Sequence, residues 1–297
     1  MARVSSLVER LTRIRAERPE AIGDALSRRR RRPLLRDGRL FLVAADHPGR
    51  GVLKAGDDPL AMADRGELLR RLVIALGRPG VDGVLATADV VDDLALLEAL
   101  DDKVVFGSMN RGGLAGSAFE LDDRFTGYTA EAIVAAGLDG GKMMLRVGND
   151  DAGTVATLES CARAVDALAA FDCPAMIEVF ASRGGSGGVV NDVSPDAMIR
   201  AIAIASALGG DSSRVWLKLP VTADHERVLA ATTFPVVLLG GDPGADRAAT
   251  YARWESAMAV PQVRGLVAGR ALLYPPDGDV AAAVDEAAAV ARPSARA

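Results

Sequence analysis

Val215-Trp216-Leu217-Lys218-Leu219-Pro220 is a short apolar run of strand length. An amphipathic stretch, Asp224–Ala231, follows it, and then a second apolar run, Val236-Val237-Leu238-Leu239, ended by Gly240-Gly241. Apolar run, helical period and apolar run in succession form one strand-helix-strand unit, the crossover that parallel strands require. The same alternation recurs on both sides of it. Strands are expected at Leu40–Ala45, Gly83–Ala86, Val104–Gly107, Lys142–Val147, Ala175–Val179, Val215–Leu219, Val236–Leu239 and Gly265–Ala268. Helices are expected at Pro59–Leu76, Val90–Leu100, Ala130–Ala136, Ala152–Ala170, Pro195–Leu208, Asp224–Ala231, Ala245–Met258 and Val280–Val290.

Eight such units span 253 residues from Gly38 to Val290, close to the ~250 of eight strand-helix units closed into a ring. The expected fold is therefore α/β, a (β/α)8 TIM barrel over residues 38–297. Residues 1–37 form an added helical segment, with helices near Val4–Ala16 and Pro19–Arg30, that closes the barrel bottom or makes an oligomer contact. An open doubly wound sheet competes, but no G-x-G-x-x-G follows the first strand with an acid about twenty residues on.

Composition removes several function classes. No apolar run reaches the ~18 residues that cross a bilayer, and the N-terminus lacks an apolar signal core; a cytoplasmic protein without a membrane role is expected. Two cysteines, Cys161 and Cys173, make neither a disulfide framework nor a four-cysteine zinc site. Only two histidines occur, His47 and His225. That supply disfavours zinc chemistry and, with His47 so early in the chain, Ser-His-Asp catalysis. No metal and no cofactor are expected, although carboxylates alone can hold magnesium.

Residues 1–37 carry eleven arginines against five acids, while the whole chain has a net charge of −5. The run Arg28–Arg32 has no interleaved aromatic residues and no nucleic-acid motif after it, so nucleic acid is not an expected partner. A solvated helix end or a subunit contact is expected there instead, in a homo-oligomer.

A barrel of this kind places its chemistry at the C-terminal ends of the strands. Asp46 ends the first strand, Lys142 lies on the fourth, Glu178 on the fifth and Lys218 on the sixth, and the chain has only four lysines in all. Charges in such apolar company cost several kcal/mol unless they pair, so two lysines and two carboxylates are expected to form one network. A neighbouring ammonium and partial desolvation both depress a lysine pKa, and a free amine in a closed pocket is what Schiff-base chemistry with a ketone needs. Lys218 is the expected nucleophile; a plain salt link between strands is the competing reading. Gly240-Gly241 after the seventh strand and Gly269-Arg270 after the eighth sit where barrels commonly bind phosphate, with a short helix expected after Gly269. A phosphorylated small molecule is the expected partner.

These residues resemble the class I aldolases of the deoxyribose-phosphate, fructose-bisphosphate and tagatose-bisphosphate group. The resemblance rests on Asp46-His47-Pro48-Gly49, on Leu217-Lys218-Leu219-Pro220 and on Gly269-Arg270. It is nearest to the tagatose-1,6-bisphosphate branch, whose strand-one aspartate, strand-four lysine, strand-five glutamate and Schiff-base lysine match Asp46, Lys142, Glu178 and Lys218. Deoxyribose-phosphate aldolases place a second lysine on strand seven, and Val236–Leu239 has none. Archaeal-type fructose-bisphosphate aldolases use a strand-five tyrosine, where this chain has Glu178. The text from Asn110 to Leu114 and from Phe119 to Tyr128 also resembles bacterial aldolase-like barrels associated with inositol catabolism.

The second resemblance implies a lyase of carbohydrate metabolism that cleaves 5-dehydro-2-deoxy-D-gluconate 6-phosphate to dihydroxyacetone phosphate and malonate semialdehyde. In the mechanism expected, Lys218 attacks the ketone, Glu178 passes protons, Lys142 keeps Lys218 unprotonated, and Asp46 accepts or orients the hydroxyl proton of the departing aldehyde. Gly240, Gly241, Gly269 and Arg270 hold the phosphate. The alternatives are a tagatose- or fructose-bisphosphate aldolase, a silent sugar-phosphate-binding barrel, and a magnesium-dependent lyase using Asp46 and Glu178. A substrate carboxylate would need a further cation, with Arg50, Arg111, Arg124 and Arg146 as candidates. Ser182–Gly188 is a candidate lid or a plain surface loop, and His47 either touches substrate or is structural.

Overall fold

The computed structural model describes residues 2–185, 188–241 and 246–292. Eight parallel strands, β1 (Leu40–Ala45), β2 (Gly83–Ala86), β3 (Val104–Ser108), β4 (Gly140–Val147), β5 (Ala175–Gly185), β7 (Val215–Leu219), β8 (Val236–Leu239) and β9 (Val263–Ala268), form one ring. Pairing of β4 with β5 closes it, and helices surround it, which makes the chain a (β/α)8 TIM barrel. The extra strand β6 (Gly188–Asp192) runs antiparallel to the end of β5. Of the stretch Ser182–Gly188, residues 182–185 and 188 thus pair in a hairpin over the barrel mouth; residues 186 and 187 lie outside the described residues.

Side-chain alternation divides two cores. Leu40, Leu42 and Ala44 of β1 point into the lumen with Phe106, Met176, Trp216 and Val237. Phe41 and Val43 point outward against the helices, beside Leu69 and Leu72 of α3 (Arg65–Leu76). Fully burying each such leucine contributes about 2 kcal/mol. Glycine serves the narrow parts of the ring: a Cβ on Gly265 would meet the Leu40 carbonyl at 1.8 Å.

The expected α3 began at Pro59, but it starts at Arg65 because the Asp64 side chain accepts from the Glu67 N–H and caps it there. The next helix, α4, spans Ala88–Leu96 rather than reaching Leu100; Glu98 takes a left-handed conformation at φ 57° and turns the chain. The later helices are α5 (Ala130–Ala135), α6 (Gly153–Ala169), α7 (Pro195–Ser206), α8 (His225–Leu229), α9 (Arg247–Met258), α10 (Arg270–Leu273) and α11 (Val280–Ala291). Ala245, the expected start of α9, lies outside the described residues. Among the described residues no helix is long and apolar enough to cross a membrane. Cys161 and Cys173 are buried thiols.

The N-terminal segment forms α1 (Ala2–Glu17), which lies against α3, and α2 (Glu20–Arg28), which lies against α4. The arginine run after α2 pairs within the molecule rather than forming a free cationic arm, although Arg30 and Arg31 stay largely exposed, as a solvated helix end would. Arg29 reaches Asp139 at 3.2 Å, Arg30 Asp101 at 2.6 Å, Arg31 Asp139 at 3.0 Å and Arg32 Asp82 at 2.6 Å. These acids stand just before β2, β3 and β4, so the run straps the N-terminal rim of the ring, and Leu34 packs against the lumen core.

Asp82 accepts from Arg32 and also from the Phe41 N–H at 2.7 Å, all of it buried. Removing one partner strands the other charge, which typically costs about 3–5 kcal/mol. Asp82→Ala is expected to lower the unfolding free energy by that amount in urea titration; a loss under about 1 kcal/mol would show that the strap is ornamental.

Candidate active site

The period-two alternation that builds the lumen core also carries the polar residues inward. On β4, Lys142, Met144 and Arg146 share a face; on β5, Met176, Glu178 and Phe180; on β7, Trp216 and Lys218. Register does the rest. Glu178 pairs with Lys218 across β5 and β7, and with Met144 across β4 and β5, so Lys142 lies one inward residue below Glu178.

Glu178 stands between the two amines. Its Oε1 accepts from Lys218 Nζ at 2.6 Å, and its Oε2 pairs with Lys142 Nζ. Lys142 Nζ donates to Asp46 Oδ2 at 3.0 Å, and the same oxygen accepts from Ser108 Oγ at 3.1 Å and faces Arg111 Nη2 at 3.1 Å. The structure thus brings Asp46, Lys142, Glu178 and Lys218 into one buried chain of charges, in that order.

Only part of that chain meets the cavity. A cavity of about 390 Å³ opens at the C-terminal mouth of the ring, lined by Lys218, Glu178, His47, Gly240, Gly269 and Arg270 among others. Lys142 is fully buried and Asp46 nearly so, and neither lines the cavity. Asp46 thus meets Lys142 from the side away from the cavity. Gly240, Gly241, Gly269 and Arg270 line the β8 and β9 side together, and the short α10 follows Gly269 as expected. Gly269 is required by close approach, since a Cβ there would meet the Ala44 carbonyl at 2.3 Å and His47 Cε1 at 2.8 Å. Asp242, the residue after Gly241, lies outside the described residues.

Electrostatics follow from burial and order. Burial opposes ionisation of Asp46, but Arg111 and then Lys142 outweigh it and hold the carboxyl well below the usual carboxylate range. Burial likewise opposes ionisation of Glu178, and Lys142 and Lys218 overcome it and keep it ionised. Burial, reinforced by Arg111, pushes the Lys142 ammonium down to about 8 against the pull of Asp46 and Glu178. Burial pushes His47 down to about 3, so its imidazole is neutral; among the described residues its Nδ1 has no hydrogen-bond partner.

Two residues beside the site hold its frame, in a role that the sequence did not show. The Asn110 side chain donates to the Met144 carbonyl and accepts from its N–H, both at 2.6 Å, and continues the β3 to β4 ladder past the end of β3. Arg146 makes a fork to both oxygens of Asp123, at 2.8 and 2.7 Å, and ties the loop after β3 to β4. Of the four arginines considered, Arg50 and Arg146 line the cavity, Arg111 serves Asp46, and Arg124 is exposed beside Asp122. Ser182 donates to Asn191 across the β5 to β6 hairpin at 2.8 Å, and Asn191 lines the cavity. Among the described residues no three histidine, cysteine or carboxylate side chains group as metal ligands would.

The solved structure of Cgl0159 from Corynebacterium glutamicum is 55% identical and superposes with a TM-score of 0.94, covering 96% of this chain and 97% of that one. An archaeal fructose-1,6-bisphosphate aldolase, solved with its catalytic lysine covalently bound to the carbinolamine intermediate of the substrate, is 20% identical with a TM-score of 0.63, over 91% of this chain and 98% of that one. The fructose-bisphosphate aldolase of Slackia heliotrinireducens is 18% identical with a TM-score of 0.61, over 86% and 85%. At such identities these aldolases share the fold with this chain. No curated protein matches it. The model of the Cgl0159-like family matches residues 38–288, the whole ring from the turn before β1 into α11, and the chain belongs to that family.

Proposed function

We propose that this protein is a class I aldolase that cleaves a phosphorylated keto acid through a Schiff base on Lys218, with 5-dehydro-2-deoxy-D-gluconate 6-phosphate as substrate and dihydroxyacetone phosphate and malonate semialdehyde as products. One observation carries the reading: of two amines joined by a single carboxylate, one faces the cavity and the other is sealed behind it. A salt link between strands needs no second lysine. A carboxylate shared with a second, sealed amine gives the first one a route for its proton that avoids bulk water.

In the proposed mechanism, the Lys218 ammonium gives a proton to Glu178, which passes it to Lys142, left free to accept because burial favours its neutral form. The neutral Lys218 Nζ attacks the ketone carbon, and the proton that the nitrogen then sheds passes by way of Glu178 to the carbonyl oxygen, which gives the neutral carbinolamine. Glu178 returns a proton to that hydroxyl, water leaves, and the iminium forms. The β-hydroxyl then loses its proton to Glu178 as the adjacent C–C bond breaks, and the bonding pair moves toward the iminium nitrogen to leave an enamine and free the aldehyde. Protonation of the enamine carbon and hydrolysis of the iminium release the ketone product and restore the amine. Asp46 and Arg111 fix Lys142 in place, while Gly240, Gly241, Gly269 and Arg270 hold the phosphate, beside the positive end of α10.

The test is release of dihydroxyacetone phosphate from a panel of phosphorylated ketoses and keto acids, in chelator, with and without borohydride. Turnover of the keto acid that is indifferent to chelator, with irreversible inactivation when borohydride and substrate are present together, is the expected result. Turnover that chelator abolishes would replace this reading with a metal-dependent lyase.

A further inference from the structure

In the ring, β8 and β9 stand across the lumen from β3 and β4, with the Lys218 and Glu178 strands on the arc between them. The glycine turns and Arg270 occupy the first side. On the opposite side stands Arg50, which leaves the turn after β1 and reaches over to the loop after β3 and to β4. Its Nε donates to the Gly113 carbonyl at 2.8 Å, and among the described residues its Nη1 has only the Met144 thioether sulfur, at 3.3 Å. Its nearest acid, Glu120, is 3.7 Å from Nη2, outside hydrogen-bond reach, and already faces Arg146 at 3.5 Å and accepts from the Gly116 N–H. Arg50 is 8% exposed and lines the cavity.

Acids surround this guanidinium without touching it: Glu120 is 3.7 Å away, and Asp123 and Glu178 act on it from farther off, so the cost of burying it is only partly offset. Burial and then the nearby Arg146 push it down to about 10, which leaves it charged at neutral pH. We propose that Arg50 binds a carboxylate at the end of the substrate remote from the phosphate, so that the cavity selects an extended chain with a phosphate at one end, a monoanionic carboxylate at the other and the ketone at Lys218 between them. A single charge suits this corner better than a phosphate, because Glu120 stands beside it and Gly113 turns its carbonyl, not its N–H, toward it. The inference rests on the aldolase reading for its substrate, but the carboxylate site has its own readout.

The test compares wild type with Arg50→Met and Arg50→Lys. Calorimetric binding of 3-hydroxypropanoate, an unreactive carboxylate, is expected to weaken by at least about tenfold in Arg50→Met and to recover in part in Arg50→Lys. In aldol addition of dihydroxyacetone phosphate, the preference for malonate semialdehyde over propanal is expected to fall by about a hundredfold in Arg50→Met, the loss of a charge-assisted contact. Borohydride trapping of dihydroxyacetone phosphate, which lacks a carboxylate, is expected to persist. Equal losses with both aldehydes, unaltered 3-hydroxypropanoate binding, or a wild-type preference for glyceraldehyde 3-phosphate that Arg50→Met removes would each overturn the inference. Absence of trapping in the wild type, with 3-hydroxypropanoate binding still dependent on Arg50, would sink the aldolase reading and keep the carboxylate site.

Discussion

Lys218→Met gives no borohydride-stable adduct with dihydroxyacetone phosphate and loses at least about four orders of magnitude in turnover, the scale on which removal of a covalent nucleophile acts. Methionine nearly matches the length of the lysine stem and has no nitrogen, so the cavity keeps its shape. Glu178 retains Lys142 as a partner, so no carboxylate is left alone in the lumen and the fold is expected to hold. Intact-mass analysis after reduction reads the result directly. An adduct of undiminished yield in Lys218→Met, mapped by peptide sequencing to Lys142, would mean that the sealed amine is reached after all and that the two lysines have been assigned in the wrong order.

The second large effect belongs to the proton path. Because Lys142 must be unprotonated to accept a proton through Glu178, turnover is expected to rise with pH up to about 8 and then level, following the value to which burial and Arg111 push this amine. Lys142→Met removes the acceptor, so turnover drops by about 10²–10⁴ and the rising limb disappears. Glu178→Gln keeps the size of the link but cannot relay a proton, and is expected to fall by a similar factor while still admitting substrate. A merely structural Lys142 predicts something else: lower stability with an unchanged pH profile in whatever folds. The profile of Lys142→Met therefore separates the two readings.

The order of the charges explains why these residues tolerate the lumen. Every carboxylate in the chain has a cation on each side, and the cations at the ends, Lys218 and Arg111, differ in what they face. Lys218 looks into the cavity, whereas Arg111 also donates to the Asp46 carbonyl at 3.3 Å and to the Asn110 carbonyl at 2.9 Å, which anchors it. The network is anchored at its closed end and faces the cavity at its open one.

Much of the ring was readable along the chain because its strands are short, apolar and buried on both faces, a pattern that stands out against amphipathic helices. Leu40–Ala45, Gly83–Ala86, Val215–Leu219 and Val236–Leu239 are strands with the bounds their composition suggests. The β5 to β6 hairpin escaped notice because Ser182, Arg183, Gly184 and Gly185 are polar or glycine, and their pairing partners carry no apolar alternation. The arginine run misled for another reason. Its acids, Asp82, Asp101 and Asp139, are between about fifty and a hundred and ten residues away, so nothing local shows that the charge is spent internally.

The amino-acid order alone set the strand-helix alternation and, through the two-residue period of a strand, put Lys142, Glu178 and Lys218 on the face that closes around the lumen. It did not contain the stagger between neighbouring strands, which arises only when the ring closes and each strand finds its hydrogen-bonded partner. That stagger places Glu178 level with Lys218 and above Lys142, seals one amine and opens the other, turns Asp46 toward Lys142 and away from the cavity, and carries Arg50 from the first strand's turn across to the fourth. A local pattern sets which way a side chain points, whereas depth along the barrel axis is a relation between strands far apart in the chain.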